Sequence, residues 1–166
     1  VQSSKVYGCI IAYNECGTNG AGANWGELQN CIVFSNRAAN GGGGINNVVA
    51  RNCTIYGNMG LTGHGGGVST GDRGGVPVGT NFNCIVYGNT ASTDANIYTG
   101  VPSFNSFTGN PRFVDAANGD FRLLGDSPCI DMGNNRDVSG ETDIRGNARI
   151  QNGIVDIGAY EFTLPT

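Results

Sequence analysis

Few residues in this chain have the types and spacing for chemistry. The single histidine, His64, stands between Gly63 and Gly65 and is one candidate for catalysis. Its plainer reading is a turn residue. The word TGDRGG (70–75) sets Asp72 beside Arg73. A polysaccharide lyase needs an Arg or Lys that takes the proton next to a sugar carboxylate, with a calcium-binding acidic cluster near it. The plainer reading is a solvated loop pair worth little. The word DVSGETD (137–143) brings Asp137, Glu141 and Asp143 together as calcium candidates, but it lacks the full spacing of an EF-hand loop. A glycosidase needs two carboxylates a set distance apart. Residues 1–107 offer only Glu15, Glu27, Asp72 and Asp94, and no two of them fall at equivalent positions of the repeat described next. Six cysteines are present with no C-x-x-C and one histidine, which argues against a metal centre. In an exported chain they raise the question of disulfides, which stays open at this point. The expectation is therefore no catalytic residue and no cofactor, with calcium left open.

The elements that would position these groups are written in a repeat. NCIVFSN (30–36), NCTIYGN (52–58) and NCIVYGN (83–89) align with one another and with Cys9. Cys9, Cys31, Cys53 and Cys84 are each followed two places on by Ile11, Val33, Ile55 or Val86, and five places on by Asn14, Asn36, Asn58 or Asn89. A second apolar position follows at Ala23, Ile45, Val68 and Ile97. The first two steps are 22 residues and the third is 31, as if nine residues were added within 69–81. Glycine (29) and asparagine (21) make up about 30% of the chain and mark turns. Helical repeats are excluded by the glycine clusters and by apolar spacing of two. Leucine-rich repeats are excluded by the lack of leucines at a repeated place. What remains is an all-β parallel β-helix of about 22 residues per coil, over residues 1–107, with neighbouring coils pairing about 4.8 Å apart. In it the cysteine row points inward, and the fifth-place asparagines sit at a corner, as simple turn formers or as an ordered stack.

Residues 108–166 differ in character and read as a cap of loops and short strands. Phe113, Phe121, Leu123, Ile130, Ile144, Ile150, Ile157 and Tyr160 would pack on the last coil. Asp115, Asp131, Asp143 and Asp156, with Arg112, Arg122, Arg145 and Arg149, would tie the loops. No first cap is visible: either upstream coils are missing from this sequence, or the open end meets another molecule, which leaves self-association through the solenoid ends open.

Outward positions carry Ile10 and Ala12, Ile32 and Phe34, Thr54 and Tyr56, Ile85 and Tyr87. Such a stripe is too apolar to stay wet without reason. Either the cap or another protein covers it, or Phe34, Tyr56 and Tyr87 form a stacking platform for sugar rings.

The repeat over roughly residues 5–107 resembles the right-handed parallel β-helix, or pectin-lyase-like, superfamily. That superfamily holds lyases, hydrolases, adhesins and inert spacers, so the resemblance implies a fold and not a reaction. Gly63-His64-Gly65 is similar to one word of the polygalacturonases, but the N-T-D, paired-Asp and R-I-K words of that family are missing. The words NPRFVDAANGDFRL (110–123), GDSPCIDMGNN (125–135) and DIRGNARIQNGIVDIGAYEF (143–162) resemble the closing string of secreted bacterial choice-of-anchor-Q domain proteins. Cys129 stands where that family has alanine, and Ala148 where it has proline. This resemblance implies an extracellular or bacterial cell-surface location.

Charged residues are only 13%, the formal net charge is −4, and no Lys/Arg cluster exists, which argues against nucleic acid. No apolar run reaches 18 residues, so no membrane insertion is expected. VQSSKVYG at the start shows no signal-peptide pattern, which in a mature chain or fragment says nothing about export. The expected function is a secreted or surface-displayed, non-catalytic module, structural or adhesive, meeting a polysaccharide or a surface protein. The alternatives are a fragment of a polysaccharide lyase or glycoside hydrolase, and a self-assembling filament subunit.

Overall fold

The computed structural model describes residues 1–73 and 76–164, with 72, 73, 76 and 77 described by their backbone alone. The chain winds as a parallel β-solenoid of about four turns. The first coil holds β1 (Gln2–Tyr7), β2 (Ile10–Ala12) and β3 (Glu15–Cys16). The second holds β4 (Ala23–Gln29), β5 (Ile32–Phe34) and β6 (Arg37–Ala38), and the third holds β7 (Ile45–Arg51), β8 (Thr54–Tyr56) and β9 (Met59–Gly60). The fourth is interrupted: β10 (Val68–Ser69) is followed by the hairpin β11 (Asp72–Arg73) and β12 (Val76–Pro77), then by β13 (Thr80–Phe82) and β14 (Ile85–Tyr87). A further strand, β15 (Ser103–Phe104), pairs with β13, and Phe107 bridges Ile85.

Three parallel sheets follow from this winding: β1-β4-β7-β13-β15 with β10 also on β7, β2-β5-β8-β14, and β3-β6-β9. The register explains the word spacing. Ile10, Ile32, Thr54 and Ile85 stand over one another, so the preceding cysteines form one row. Cys31, Cys53 and Cys84 are fully buried while Cys9 is exposed, and all are free thiols. Each donates to the carbonyl two residues earlier: Tyr7, Gln29, Arg51 and Phe82, at 3.2 Å in every case. Ile11, Val33, Ile55 and Val86 fill the next inward row. Each such buried aliphatic side chain contributes about 1.5–3 kcal/mol.

The 31-residue step splits in two. The offset is 22 at Arg37↔Met59, 23 at Ile45↔Val68 and 31 at Val49↔Thr80. One residue enters before Val68, and the rest form the hairpin that leaves the sheet between β10 and β13.

Two rows of turn residues fix the corners. Ahead of each cysteine, Gly8, Asn30, Asn52 and Asn83 hold left-handed backbone with φ of 58°, 51°, 48° and 51°, which glycine and asparagine adopt most readily. After each cysteine the fifth-place asparagines form an ordered stack. Asn14 Nδ2 donates to Asn36 Oδ1 (2.8 Å), Asn36 Nδ2 to Asn58 Oδ1 (2.9 Å) and Asn58 Nδ2 to Asn89 Oδ1 (3.0 Å). Asn89 Nδ2 donates to Asn96 Oδ1 (3.2 Å), which ends the row. Gly44 and Gly67 face this stack. A Cβ on Gly44 would lie 2.6 Å from the carbonyl of Gly67, and one on Gly67 would lie 2.6 Å from Asn89 Nδ2, so neither position admits a side chain.

The remaining chain lies along one side of the solenoid. The antiparallel hairpin β16 (Phe113–Asp115) and β17 (Asp120–Leu123) begins it. Here the structure departs from the expectation that this segment packs on the last coil. Phe121 and Ala159 cluster with Ile32 of the second coil, while Leu123, Cys129 and Ile157 cluster with Ile85 of the fourth. Ile150 is exposed instead of packed. The cover exists because the outward row Ile32–Thr54–Ile85, aliphatic at its two ends, runs across three coils and no single end-cap would reach it.

Candidate ligand-binding site

The outward aromatic row of the middle sheet is where the solenoid and its cover meet. Phe34 and Tyr56 receive Phe121 between them, at ring-centroid distances of 5.1 and 5.3 Å. Phe113 meets Tyr56 edge-on at 5.9 Å. Tyr13 packs on the other side of Phe34 at 5.2 Å. The platform expected from Phe34, Tyr56 and Tyr87 is therefore corrected: the three rings do not offer one flat open face, because Phe121 occupies the ground over the first two. Tyr87 lies 6.3 Å from Tyr56 with the rings tilted by 39°.

What stays open is a depression of about 500 Å³ at the edge of the cover, lined by Tyr56, Tyr87, Asn110, Arg112, Phe113 and Leu124. Its polar groups are held in place from behind. Asn110 Oδ1 accepts the Arg112 N–H (3.0 Å), and the Arg112 guanidinium is paired with Asp126 (2.7 Å). Among the described residues the Asn110 amide NH₂ and the hydroxyls of Tyr56 and Tyr87 have no hydrogen-bond partner. The depression thus combines ring faces with unpaired donors and acceptors, the mixture that holds a hydroxylated ring: CH groups on the aromatic face, hydroxyls on the amide and phenols.

The cover is fixed over this row by groups that sequence reasoning passed over. The asparagines ahead of each cysteine reach out of the corner and bond the cover. Asn30 Nδ2 donates to the Thr142 carbonyl (2.9 Å), Asn52 Nδ2 to that of Asp156 (3.4 Å) and Asn83 Nδ2 to that of Asn134 (3.0 Å). The Asn134 N–H returns a bond to Asn83 Oδ1 (2.8 Å). In the first coil the same place is Gly8, and there the cover does not reach: Ile10 is 65% exposed. Thr54 breaks an otherwise aliphatic row because its Oγ1 accepts the Ala159 N–H (3.1 Å). The signal was present in the repeated words as the first Asn of each, absent from the first repeat.

Beneath the cover lies a buried ion pair. Arg149 Nη2 sits 2.7 Å from Glu161 Oε1, and both side chains are 1% exposed. Arg149 also donates to the Asp156 and Gly158 carbonyls and to Asn30 Oδ1. Burial pushes the Glu161 carboxyl up to about 7, with the Arg149 guanidinium pulling the other way. Burial likewise raises the Asp156 carboxyl, whose two oxygens accept the Asp131 and Phe162 N–H groups (2.7 and 2.6 Å). The expected loop-tying by Asp143, Asp156 and Arg149 is seen directly. Glu161 was not anticipated as the partner.

The remaining sequence candidates fall as follows. His64 is exposed at a corner, its Nδ1 against Thr93 Oγ1 and its ring 5.0 Å from Tyr98. Backbone bridging to Thr93 makes it part of the coil stacking. Asp72 and Arg73 form β11 in the excursion, and their side chains lie outside the described residues. The calcium candidates are corrected. Asp143 Oδ1 accepts the Arg145 and Asn147 N–H groups, and Oδ2 accepts Asn147 Nδ2 and the Glu161 N–H. A carboxylate filled with four donors has no lone pair directed at a cation. Asp137 instead stands 4.0 Å from Arg51, and Glu141 is exposed. Among the described residues no group of three or more His, Cys, Asp or Glu side chains is placed to hold a metal ion. No helix is long and apolar enough to cross a membrane.

No protein-family model, no curated protein and no solved structure matches the chain.

A second aromatic stack lies on the largest sheet. Phe82 and Phe104 are parallel within 18° at 5.3 Å, and the Arg51 guanidinium lies 4.1 Å over Phe82. Here Phe82 lies between Phe104 and the cation, while Phe104 keeps an exposed side (51%), and the stack supports the coils.

Proposed function

We propose that this chain is a secreted or surface-displayed, non-catalytic β-helix module that holds a polysaccharide strand in the depression beside Tyr56 and Tyr87. One observation carries the reading: the cover lays Phe121 against Phe34 and Tyr56 yet leaves Tyr56, Tyr87, Asn110 and Arg112 lining an open, mixed apolar and polar hollow. A rigid ladder of stacked coils suits the presentation of such a hollow, because the rings and the amide are set on elements that do not reorganise on binding. The extracellular setting rests on the resemblance of residues 110–162 to the choice-of-anchor-Q closing string, and the solenoid on the stacked parallel strands themselves. The non-catalytic part rests on His64, which is engaged by Thr93 and Tyr98, and on the calcium candidate Asp143, which is filled by N–H donors; the side chains of Asp72 and Arg73 lie outside the described residues.

The test is binding and turnover on a panel of soluble polysaccharides, neutral and acidic. At least one should bind saturably, with Tyr87→Ala weakening it by about tenfold or more and melting temperature preserved. No saturable binding, or binding indifferent to Tyr87, would sink the adhesive reading. Release of reducing ends or unsaturated uronides would replace it with the lyase or hydrolase alternative.

Self-association is the second reading, and it draws on the first coil. There β1 and β2 each pair on one side only, and Tyr7, Ile10 and Tyr13 are 56%, 65% and 76% exposed. Unpaired strand edges beside apolar side chains are templates for further pairing. A sedimentation series in which the chain stays monomeric at all concentrations would remove it.

A further inference from the structure

The row of cysteines meets solvent at Cys9 alone. On one flank of Cys9 the Gly8 N–H donates to the Gln29 carbonyl (3.0 Å), and on the other the Ile32 N–H donates to the Cys9 carbonyl (2.9 Å). The register keeps one offset across this stretch, with Tyr7 opposite Gln29 and Ile10 opposite Ile32. Cys9 therefore stands directly opposite Cys31. Parallel neighbours at about 4.8 Å fall within the roughly 4.4–6.8 Å between Cα atoms that a disulfide spans. The two thiols also turn the same way, since each donates to the carbonyl two residues earlier at 3.2 Å.

Access sets this pair apart from the other steps of the row. Cys9 is exposed, whereas Cys31, Cys53 and Cys84 are fully buried. At its far end the row closes on a hydroxyl, where Ser106 Oγ accepts the Cys84 N–H (3.2 Å). The two cysteines outside the row face no thiol. Cys16 pairs in register with Ala38, and Cys129 is buried with Ile85, Leu123 and Ile157. A reagent in solution thus reaches Cys9 first, and the thiol in register with it is that of Cys31. We propose that Cys9 and Cys31 form a disulfide on meeting a small disulfide of the glutathione class, and that this link staples the first coil to the second. The Cys9 thiolate attacks one sulfur of the small disulfide, breaking its S–S bond and expelling one thiolate. The Cys31 sulfur then attacks the Cys9 sulfur of the mixed disulfide and expels the second. The protein pair loses two electrons, and the small disulfide gains them and leaves as two thiols carrying the two protons. The staple falls where the cover does not reach, beside Ile10 at 65% exposure. The proposal rests on neither polysaccharide binding nor self-association.

The experiment incubates the full chain with oxidised glutathione at about pH 8. Remaining thiols are then blocked in denaturant. Cleavage after Lys, Arg and Glu without reduction puts the six cysteines on six separate peptides. Mass spectrometry should find Cys9 joined to Cys31, with Cys53, Cys84 and Cys129 blocked as free thiols. Cys31→Ser should stop at a mixed disulfide between Cys9 and glutathione. Cys9→Ser, a change at an exposed side chain, should leave Cys31 unlinked under the same conditions. In the linked chain the Gly8 and Ile32 amides should exchange with deuterium at least about tenfold more slowly than in the reduced chain. Absence of the Cys9–Cys31 peptide, joining of Cys9 to Cys16 or to a second copy, or an internal link formed as fast in Cys9→Ser would each overturn the pairing. Amide exchange unchanged by the link would overturn the stapling.

Discussion

Asn58 shows how much one side chain does in this molecule. Its Nδ2 donates to the Val33 carbonyl and to Asn89 Oδ1, and its Oδ1 accepts both the N–H and the Nδ2 of Asn36. Replacing it by alanine leaves several of these groups buried without partners, at about 1–3 kcal/mol each. Asn58→Ala should therefore cost roughly 3 kcal/mol or more in chemical denaturation. Asn14→Ala, at the exposed end of the same stack, should cost under about 1 kcal/mol. Equal losses at the two positions would contradict the stacked amides. Phe121→Ala should cost about 3–5 kcal/mol, since the ring is 1% exposed and touches Phe34, Tyr56 and Phe113. Glu161 gives a pH dependence with a definite sign. Its carboxyl is held up to about 7 in the folded protein, above the 4.5 of a free side chain. The folded state therefore binds more protons than the unfolded one between those values. This contribution is fully present below 4.5 and is lost as pH rises through 7. Melting temperature should fall across that interval, and Glu161→Gln should flatten the fall even if it lowers stability overall. A stability that rises through the interval and is unaffected by Glu161→Gln would refute the assignment.

Among the elements, the parallel strands were legible in the sequence, while cover of the stripe by the cap was legible only as one alternative, for physical reasons. In-register coils repeat their inward residues at equal spacing, so Cys31, Cys53 and Cys84 with Val33, Ile55 and Val86 announce the stacking. The outward row Ile32, Thr54 and Ile85 announces only that something covers it. Which chain segment does so depends on Phe121, Ala159 and Ile157, which carry no periodic signal. Glu161 escaped notice for the same reason, because its burial is created by the fold and not by its neighbours in sequence. The excursion at β11 and β12 is legible as extra length, and its register makes a prediction. Deleting residues 72–79 sets Gly71 opposite Val48 and keeps Thr80 opposite Val49, since Ser69 pairs with Asn46. A loop that only leaves and rejoins a sheet is cheap to remove. The shortened chain should fold with a stability change of about 1 kcal/mol or less, read by circular dichroism melting. Loss of folding would mean that the excursion pins the fourth coil.

Taken whole, the described coils form a ladder with one dressed side. The amide stack is directional: each rung donates onward until Asn96 accepts the last bond. The cover spans the second to fourth coils and leaves the first bare, following the change from Asn30, Asn52 and Asn83 to Gly8. The hollow at Tyr56 and Tyr87 lies at the edge of that cover, so the proposed ligand site depends on the cover lying where it does. Through-space magnetisation transfer from the Phe121 ring tests this most directly. The account predicts cross-peaks from Phe121 to Phe34 and to Tyr56, whose ring centroids stand 5.1 and 5.3 Å away. A Phe121 ring with no cross-peak to either, or with contacts confined to the fourth coil, would contradict it.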